Sequence, residues 1–378
     1  MNYNLNIITL NIPYPPDYGG MIDTYYRIQS LNDLGIRIHL HCFEYGRPHS
    51  EELESICETV RYYPRKTGFL SHISFKPYVV SSRKSDELLN NLIINDFPIL
   101  FDGIHTTYCI NHPSLSDRRK FVRVHNIEHQ YYDNLAKHES DLSKKLFFKV
   151  ESLRLKWYEK VLGRINCLFP ISNSDQKYFS KKYHNSKLIT PFHQFKNVEC
   201  MTGSGDYLLY HGDLSVNENA ITVNYLIDNV FSKVPFKCII AGKNPPKQLL
   251  AKAYGHSNIN IVSNPEKNEM TQLIRNAHIN ILPALEMNGY KIKLLFALFA
   301  GRHCIVNSKM ISGNDLGNLC HVADSDVETI KLILQLMQEE FSDNMIEERR
   351  KLLLENYSNQ INSKKLIDLI FNQPSPFL

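Results

Sequence analysis

Short apolar runs alternate with helix-like segments along the first half of the chain, as in parallel βαβ units. The clearest helix is predicted from about Met21 to Leu34, because Gly35 is a favourable residue for its end. Apolar runs of strand length lie on both sides of it. Strands are predicted at Leu5–Leu10, Ile36–Phe43, Ile99–Asp102, Lys120–His125 and Cys167–Ile171.

The same alternation restarts after an irregular stretch, Ile189–Asp206, which lacks periodicity and is interpreted as an interdomain linker. A mostly helical tail is predicted over Asp326–Asn372. Between linker and tail, strands are predicted at Tyr207–His211, Phe236–Ala241, Ile259–Ser263, Ile279–Leu282 and His303–Asn307. Helices are predicted between them at Asn217–Ser232, Glu266–Asn276 and Tyr290–Ala300.

Two consecutive series of βαβ units predict an α/β protein with two doubly wound, Rossmann-like domains. We place the first domain at residues 1–190, the second at 206–350, and a C-terminal helical segment at 351–378. Ligands of open parallel sheets bind beyond the carboxyl ends of the strands. We therefore expect the strand-to-helix loops of both domains to face one interdomain cleft.

Composition limits the class of protein. The net charge of +4 over 378 residues argues against a strongly basic nucleic-acid binder. The N-terminal stretch lacks the pattern of a signal peptide, and no apolar run has the length of a membrane span. The eight cysteines are scattered without a C-x-x-C pair, so neither a zinc site nor a dense disulfide framework is expected. A cytoplasmic protein is the simplest interpretation.

The first candidate motif is the loop that ends in Gly19 and Gly20, just before the first helix. Adjacent glycines let backbone N–H groups approach an anion, and a helix N-terminus favours negative charge. A simple tight turn explains the same pair and is the favoured interpretation for Gly-Gly alone.

The second motif, R-V-H-N-I-E-H, follows an apolar strand and opens a helix. Its His125, Asn126 and Glu128 can bond sugar hydroxyls or polarise a reacting group. Helix capping by Asn126, with Glu128 in the first turn, is the structural alternative, and the two interpretations are compatible.

The third motif runs from Leu282 to Lys293 and joins a strand to a helix that starts near Gly289. Free N–H groups at that helix start, together with Lys291 or Lys293, could hold a diphosphate. Lysines two positions apart lie on different faces of a helix, so only one of them is expected to reach the ligand. The alternative is a solvated helix start with surface lysines.

A long amphipathic helix is predicted over Leu142–Gly163. Its basic residues suggest that it could rest on an anionic membrane, as a peripheral contact at the inner face. Packing of its apolar row against the domain is the favoured interpretation. That apolar row comprises Leu146, Phe147, Val150, Leu153, Trp157 and Val161.

Taken in order, the motifs P-Y-P-P-D-Y-G-G, R-V-H-N-I-E-H, H-G-D-L-S-V-N-E-N, I-I-A-G-K and G-Y-K-I-K-L-L-F-A-L-F-A-G resemble the family 4-like glycosyltransferases of the GT-B fold. The resemblance covers most of the chain, and it implies that the C-terminal helix, within residues 351–378, packs back on the first domain. It implies transfer of a sugar from a nucleotide donor to a glycan or lipid-linked acceptor, with retention at the anomeric carbon. A role in bacterial surface polysaccharide synthesis is what it suggests.

The resemblance also implies roles for individual residues. The catalytic candidates are His125, Glu286 and Asn288. Asn126 and Glu128 are candidates for binding the acceptor or the sugar. Candidates for donor binding are Gly19, Gly20, Gly212, Gly242, Lys243, Gly289, Tyr290, Lys291 and Lys293.

Two positions depart from the family pattern. Where the family often carries a pair of glutamates, this chain has Asn288 and Phe296, and Glu286 lies close enough to replace the first. A non-catalytic GT-B subunit that binds a nucleotide or a partner transferase is therefore an alternative, as is a sugar-nucleotide epimerase.

No cofactor or metal is expected, because GT-B enzymes are similar to one another in needing no bound metal for transfer. The D-x-D pair formed by Asp324 and Asp326 is interpreted as part of a helix cap near Val327.

Overall fold

The computed structural model describes residues 3–68, 71, 74–285 and 292–372. These residues form two compact units. The first unit holds the residues up to Gln194 and again those from Asn359 onward, and the second holds those from Phe195 to Ser358.

The first unit is built on a six-stranded parallel sheet in the order β3-β2-β1-β4-β5-β6. Its strands are β1 Asn4–Thr9, β2 Arg37–Glu44, β3 Thr59–Pro64, β4 Ile99–Asp102, β5 Lys120–Val124 and β6 Cys167–Pro170. Its helices are α1 Gly19–Asp33, α2 Glu51–Ile56, α3 Tyr78–Ser81, α4 Asp86–Ile93, α5 Glu128–His138, α6 Leu142–Tyr158, α7 Asn173–Tyr183 and α15 Asn359–Ile367.

The second unit contains another six-stranded parallel sheet, in the order β12-β11-β10-β7-β8-β9. Its strands are β7 Tyr207–His211, β8 Lys237–Gly242, β9 Ile259–Ser263, β10 Ile279–Ile281, β11 His303–Val306 and β12 His321–Val322. Its helices are α8 Asn217–Asn229, α9 Lys247–Tyr254, α10 Lys267–Asn276, α11 Ile292–Ala300, α12 Ser308–Ile311, α13 Asp326–Leu336 and α14 Asp343–Tyr357.

Both sheets follow the doubly wound topology, which confirms the predicted fold class. The chain reverses its winding between β1 and β4 in the first unit, and between β7 and β10 in the second. Such switch points leave a crevice at the carboxyl edge of the sheet. The loops that follow these four strands are therefore where each unit is expected to hold a ligand.

The predicted linker has no helix or strand but is anchored inside the units. In the first unit, the Arg123 guanidinium donates to the carbonyl of Ile189 at 2.6 Å. In the second, the Phe195 ring stacks on Phe299 with centroids 5.6 Å apart. Buried apolar residues on both sides of the Gln194–Phe195 boundary show that this segment contributes to two cores.

Helix α15 returns to the first unit and packs against α1. Asn362 donates to the carbonyl of Thr190 at 3.1 Å, and the Ser363 hydroxyl lies 2.8 Å from that of Ser30. Leu366 is fully buried there. The end of the chain is thus a structural part of the first unit.

All eight cysteines are free thiols. Most of them are buried, where a thiol packs as a small apolar side chain.

Candidate active site

The carboxyl edge of the first sheet carries a buried ionic network. Asp102 is the last residue of β4, and Arg123 lies in β5. Asp23 and Arg27 lie one turn apart on α1, which places both on the same face of the helix. Arg27 bonds Asp23 at 2.8 Å and Asp102 at 2.7 Å, and Arg123 bonds Asp23 at 2.6 Å.

His125, which follows β5 directly, is attached to this network. Its Nε2 lies 3.0 Å from Asp102 Oδ1, and its Nδ1 lies 4.0 Å from Asp23 Oδ2. Asp102 is itself fixed by Arg27 and by a 2.5 Å bond from the Thr24 hydroxyl. The imidazole is therefore held in one orientation by a carboxylate, while 12% of its side chain remains exposed. A histidine held in this way can donate to, or accept from, a bound sugar.

Burial would raise the pKa of both aspartates, but the neighbouring cations outweigh it. Attraction to Arg123 and Arg27 leaves the pKa of Asp23 below its usual value. Arg27 and His125 likewise hold the pKa of Asp102 far below its usual range. Both carboxylates are thus ionised at neutral pH and keep a fixed negative charge beside the imidazole.

Asp23, Asp102 and His125 offer three donor atoms within 4.8 Å of one another, a spacing that a metal ion could bridge. Arg27 and Arg123 already bond these two carboxylates and compensate their charge. The donor set therefore fits a buried ion-pair network better than a metal site.

Glu128 begins α5 beside His125 and is 8% exposed. Burial raises its pKa to about 7, although His125 and a hydrogen bond with Asn126 oppose the shift. Its Oε2 lies 3.7 Å from Nε2 of His105. His125, Asn126 and Glu128 line a common cavity of about 10 Å³, enough for one water molecule. The structure thus brings these three candidates together.

Gly19 and Gly20 form the first turn of α1, whose preceding residue, Tyr18, provides no side-chain cap. A Cβ added at Gly20 would lie 3.7 Å from the Tyr18 ring, an ordinary contact. The packing around Gly20 therefore does not itself require glycine at this position. The uncapped helix start leaves backbone N–H groups available for a ligand.

In the second unit, Lys293 lies at the switch point between β7 and β10. Its Nζ donates to the Tyr210 hydroxyl at 3.2 Å and to Asn219 Oδ1 at 3.0 Å, and it lies 4.8 Å from the centre of the Tyr210 ring. Lys293 is half-buried, so a positive charge is held in a defined position at the carboxyl edge of this sheet.

His211, the last residue of β7, lies in the same region. Burial, reinforced by the charge of Lys293, lowers its pKa to about 3, so the ring is neutral at physiological pH. Within the described part of the chain, its buried Nε2 has no hydrogen-bond partner. A buried ring nitrogen without a partner is unusual and marks a position where a ligand group could bond.

Gly212 and Gly242 hold the loops after β7 and β8 close together. The Gly212 N–H bonds the carbonyl of Ala241 at 3.1 Å, and the Leu214 N–H bonds that of Lys243 at 2.9 Å. A Cβ on Gly242 would lie only 1.9 Å from the Gly212 carbonyl oxygen. Glycine at 242 is thus required by backbone packing alone, and Lys243 is half-buried beside it.

Five of the predicted site residues lie outside the described residues: Glu286, Asn288, Gly289, Tyr290 and Lys291. The start of their loop is described: Ala284 exchanges hydrogen bonds of 3.0 and 2.8 Å with the Asn307 side chain. Phe296, at the second glutamate position of the family pattern, packs edge-on against Phe195 with centroids 5.4 Å apart. It offers no acceptor for a ribose hydroxyl.

The D-x-D pair lies at a helix start, but the prediction that the pair caps this helix is wrong, because the serine between the two aspartates is the cap. Ser325 caps α13 by accepting from the Glu328 N–H, and Asp324 accepts from Ser308 at 2.6 Å. Asp326 pairs with Lys233 at 3.4 Å.

Sequence reasoning missed Asp23, Asp102, Arg27 and Tyr210. A signal was available for Asp102, a charged residue at the end of an apolar strand, and for Asp23 and Arg27, which lie four positions apart in a predicted helix and so share one face. Tyr210 gave no such signal, since a tyrosine in a strand is ordinary.

Solved structures show that two doubly wound units of this topology form the GT-B fold in this chain. The chain aligns over 98% of its length with all of Anabaena HepE, solved with UDP and glucose, with a TM-score of 0.66 and 10% identity. WaaG, a glycosyltransferase involved in lipopolysaccharide biosynthesis, aligns over 98% of this chain and 100% of its own, with a TM-score of 0.65 and 13% identity. TarM of S. aureus aligns over 98% of this chain and 99% of its own, with a TM-score of 0.67 and 11% identity.

A relative is also found among curated proteins. It is an uncharacterized protein in the cps region of Klebsiella pneumoniae, 26% identical over an alignment of 313 residues that covers 77% of this chain and 79% of the relative. No protein-family model matches the chain. Within the described residues, no helix is both long and apolar enough to cross a bilayer.

Proposed function

We propose that this protein is a family 4-like hexosyltransferase that moves a sugar from a nucleoside-diphosphate donor to a glycan or lipid-linked acceptor. The GT-B fold supports it, and so does the capture of UDP and glucose by HepE, which has the same fold. A relative from a cps region supports a role in bacterial surface polysaccharide synthesis. With a lipid-linked acceptor, the enzyme would catalyse transfer at the inner face of the membrane, in peripheral contact with it.

The observation that carries the proposal is the pair of anchored groups at the two switch-point edges. His125 is fixed by Asp102 in the first unit, and Lys293 is fixed by Tyr210 and Asn219 in the second. Such groups are pre-organised, so they need no rearrangement when charge develops in a reaction.

In this proposal, the second unit binds the donor diphosphate. Glycosyl transfer passes through an oxocarbenium-like state while the nucleoside diphosphate departs with the bonding electrons. The ammonium of Lys293 stabilises that leaving charge, and the neutral His211 ring offers a hydrogen bond. Because Lys293 supplies positive charge, we propose that transfer needs no bound metal.

The first unit then orients the sugar and the acceptor. His125 bonds the transferred sugar, and Asn126 and Glu128 bond acceptor or sugar hydroxyls. With a pKa near 7, Glu128 can exchange a proton with a hydroxyl at neutral pH. Retention of the anomeric configuration is proposed from the family likeness.

The test is a thermal-shift screen of the full chain against UDP, GDP, ADP, CMP and dTDP sugars, followed by transfer assays. A ligand at a hundred times its Kd stabilises the folded state by about 2.7 kcal/mol, so the melting temperature should rise by several degrees. Lys293→Ala should lose the shift. The matched control is Lys331→Ala, which replaces an exposed lysine of α13 and should keep the thermal shift.

His125→Ala should keep the nucleotide shift but lose transfer by about 10²- to 10⁴-fold in kcat. Binding without turnover for any acceptor would instead indicate a non-catalytic subunit, which the packing of Phe296 on Phe195 favours as the second candidate. Consumption of the nucleotide sugar without acceptor would indicate an epimerase. No shift with any nucleotide would contradict the proposal.

A further inference from the structure

Helix α6 carries a row of large apolar side chains that face solvent. Each member follows the previous one by three or four residues, so all lie on one face of the helix. The exposed fractions are Leu142 81%, Leu146 67%, Val150 39%, Leu153 68% and Trp157 57%. The sequence-based interpretation that the predicted row packs on its own domain is therefore wrong for Leu146, Val150, Leu153 and Trp157, whereas Val161 is buried as predicted.

The opposite face of α6 packs instead, and polar contacts fix the rotation of the helix. Glu151 is fully buried and accepts from the Val79 N–H at 2.9 Å. The Ser152 hydroxyl donates to the carbonyl of His129 at 2.6 Å, and the Tyr158 hydroxyl to that of Thr107 at 3.0 Å. Rotating α6 to turn the apolar row inward would break these hydrogen bonds. The packing of the opposite face therefore keeps the row exposed.

The surface around the row is basic. Between residues 142 and 164, all of which the structure describes, Glu151 and Glu159 are the acidic residues and both are buried. The exposed charges in this segment are therefore all positive, and they include Lys145, Lys149, Lys156 and Lys160. Asp141 caps the helix and Asp133 of α5 pairs with Lys149 at 2.5 Å, so cations outnumber anions along the row without being alone there. An apolar row bordered mainly by cations matches the hydrocarbon boundary and anionic headgroups of a lipid bilayer.

We propose that this face of α6, Leu142 to Trp157 with its bordering lysines, docks the protein on an anionic bilayer. The apolar row enters the headgroup boundary, and the lysines extend along it to reach lipid phosphates. The biological role of this docking rests on the proposed function, because docking would bring the first unit to acceptors anchored in the same membrane.

Trp157 makes the proposal directly measurable, because it is the chain's single tryptophan. The full chain is mixed with vesicles of phosphatidylglycerol and phosphatidylethanolamine, and separately with phosphatidylcholine vesicles. With the anionic vesicles, we expect a blue shift of the Trp157 emission, quenching by brominated lipid, and co-sedimentation that weakens as salt is raised. Phosphatidylcholine vesicles should produce little of any of these three effects.

Two variants separate the apolar and charged contributions. Leu146→Ser with Leu153→Ser should weaken vesicle binding at least about tenfold without lowering the melting temperature, since both side chains are already exposed. Lys145→Gln with Lys156→Gln should weaken it about fivefold per lysine and reduce the salt dependence. The matched control is Tyr254→Ser with Val327→Ser, exposed apolar residues of the second unit, which should change nothing.

An unchanged Trp157 spectrum with anionic vesicles would overturn the proposal, as would binding that survives the leucine double variant. A dimer that the leucine variant dissociates would show that a second copy covers this face instead. Nucleotide binding is measured without vesicles, so its loss would contradict the proposed function while leaving membrane docking to be judged on its own result.

Discussion

The side chain of Glu128 shows how burial tunes one residue of the candidate site. Its carboxyl is almost enclosed, and His105, whose Nε2 lies 3.7 Å from it, has its own pKa lowered to about 3 by burial and is neutral. The carboxylate therefore lacks a full counter-charge from that side. Its pKa rises to about 7, from an ordinary value of 4.5.

Glu128→Gln should stabilise the protein at alkaline pH. Because the folded-state pKa is the higher one, the stability that this carboxyl contributes is complete below pH 4.5 and is lost as pH rises through 7. The amide has no such dependence, so we expect a gain of about 2–3 kcal/mol at pH 8 that shrinks towards pH 5. Melting temperatures across this range provide the measurement.

The exposed Glu58, replaced in Glu58→Gln, is the control and should show no pH-dependent gain. A Glu128→Gln variant that is less stable than the parent at pH 8 would show that the ionised carboxylate is favoured in the fold.

At this scale, the sequence predicted His125, Asn126 and Glu128 together because they are adjacent in one motif. It did not predict Asp102, which lies 23 positions before His125 and meets it only when β4 and β5 pair. Contacts between side chains on different strands depend on strand order, which local periodicity does not contain.

At the scale of elements, the two glycine sites are predicted to respond differently to a methyl group. In Gly20→Ala the new Cβ has room and alanine favours the helix, so stability should stay within about 1 kcal/mol or rise. In Gly242→Ala the Cβ would meet the Gly212 carbonyl and the Leu214 side chain, so we expect a loss of about 3 kcal/mol or more. Chemical denaturation of both variants measures this.

The same pair separates ligand binding from folding. If a substrate approaches the start of α1, Gly20→Ala should weaken its binding in a fully folded protein. Equal destabilisation by the two substitutions would contradict the interpretation that only Gly242 is fixed by backbone packing.

Most elements could be predicted because buried parallel strands are short, continuous apolar runs. Two of the four edge strands, β3 and β12, were missed, while β6 and β9 were predicted. In β3 only Tyr63 is buried and the residues around Arg61 are exposed or half-buried, and β12 contains only His321 and Val322. Neither strand therefore shows a continuous apolar run in the sequence.

At the scale of the whole molecule, both units repeat one strand order, yet the chain is not simply divided in two. The first unit is completed by residues from Asn359 onward, more than 160 residues after it was interrupted at Gln194. Helical periodicity predicted a helix in the tail. The face against which it packs is fixed by α1 and by the segment around Thr190, which the tail's own sequence does not specify.

This return predicts that two leucines only thirteen positions apart stabilise different units. Leu353 in α14 and Leu366 in α15 are both fully buried, and each Leu→Ala change should cost about 2–5 kcal/mol. Leu366→Ala should accelerate amide hydrogen exchange in β1 to β6, and Leu353→Ala in β7 to β12, because local stability follows the unit that loses its packing. The exposed Lys365, replaced in Lys365→Ala, should alter neither pattern. If Leu366→Ala accelerated exchange equally in both sheets, the two units would unfold as one, and the tail would stabilise the whole chain.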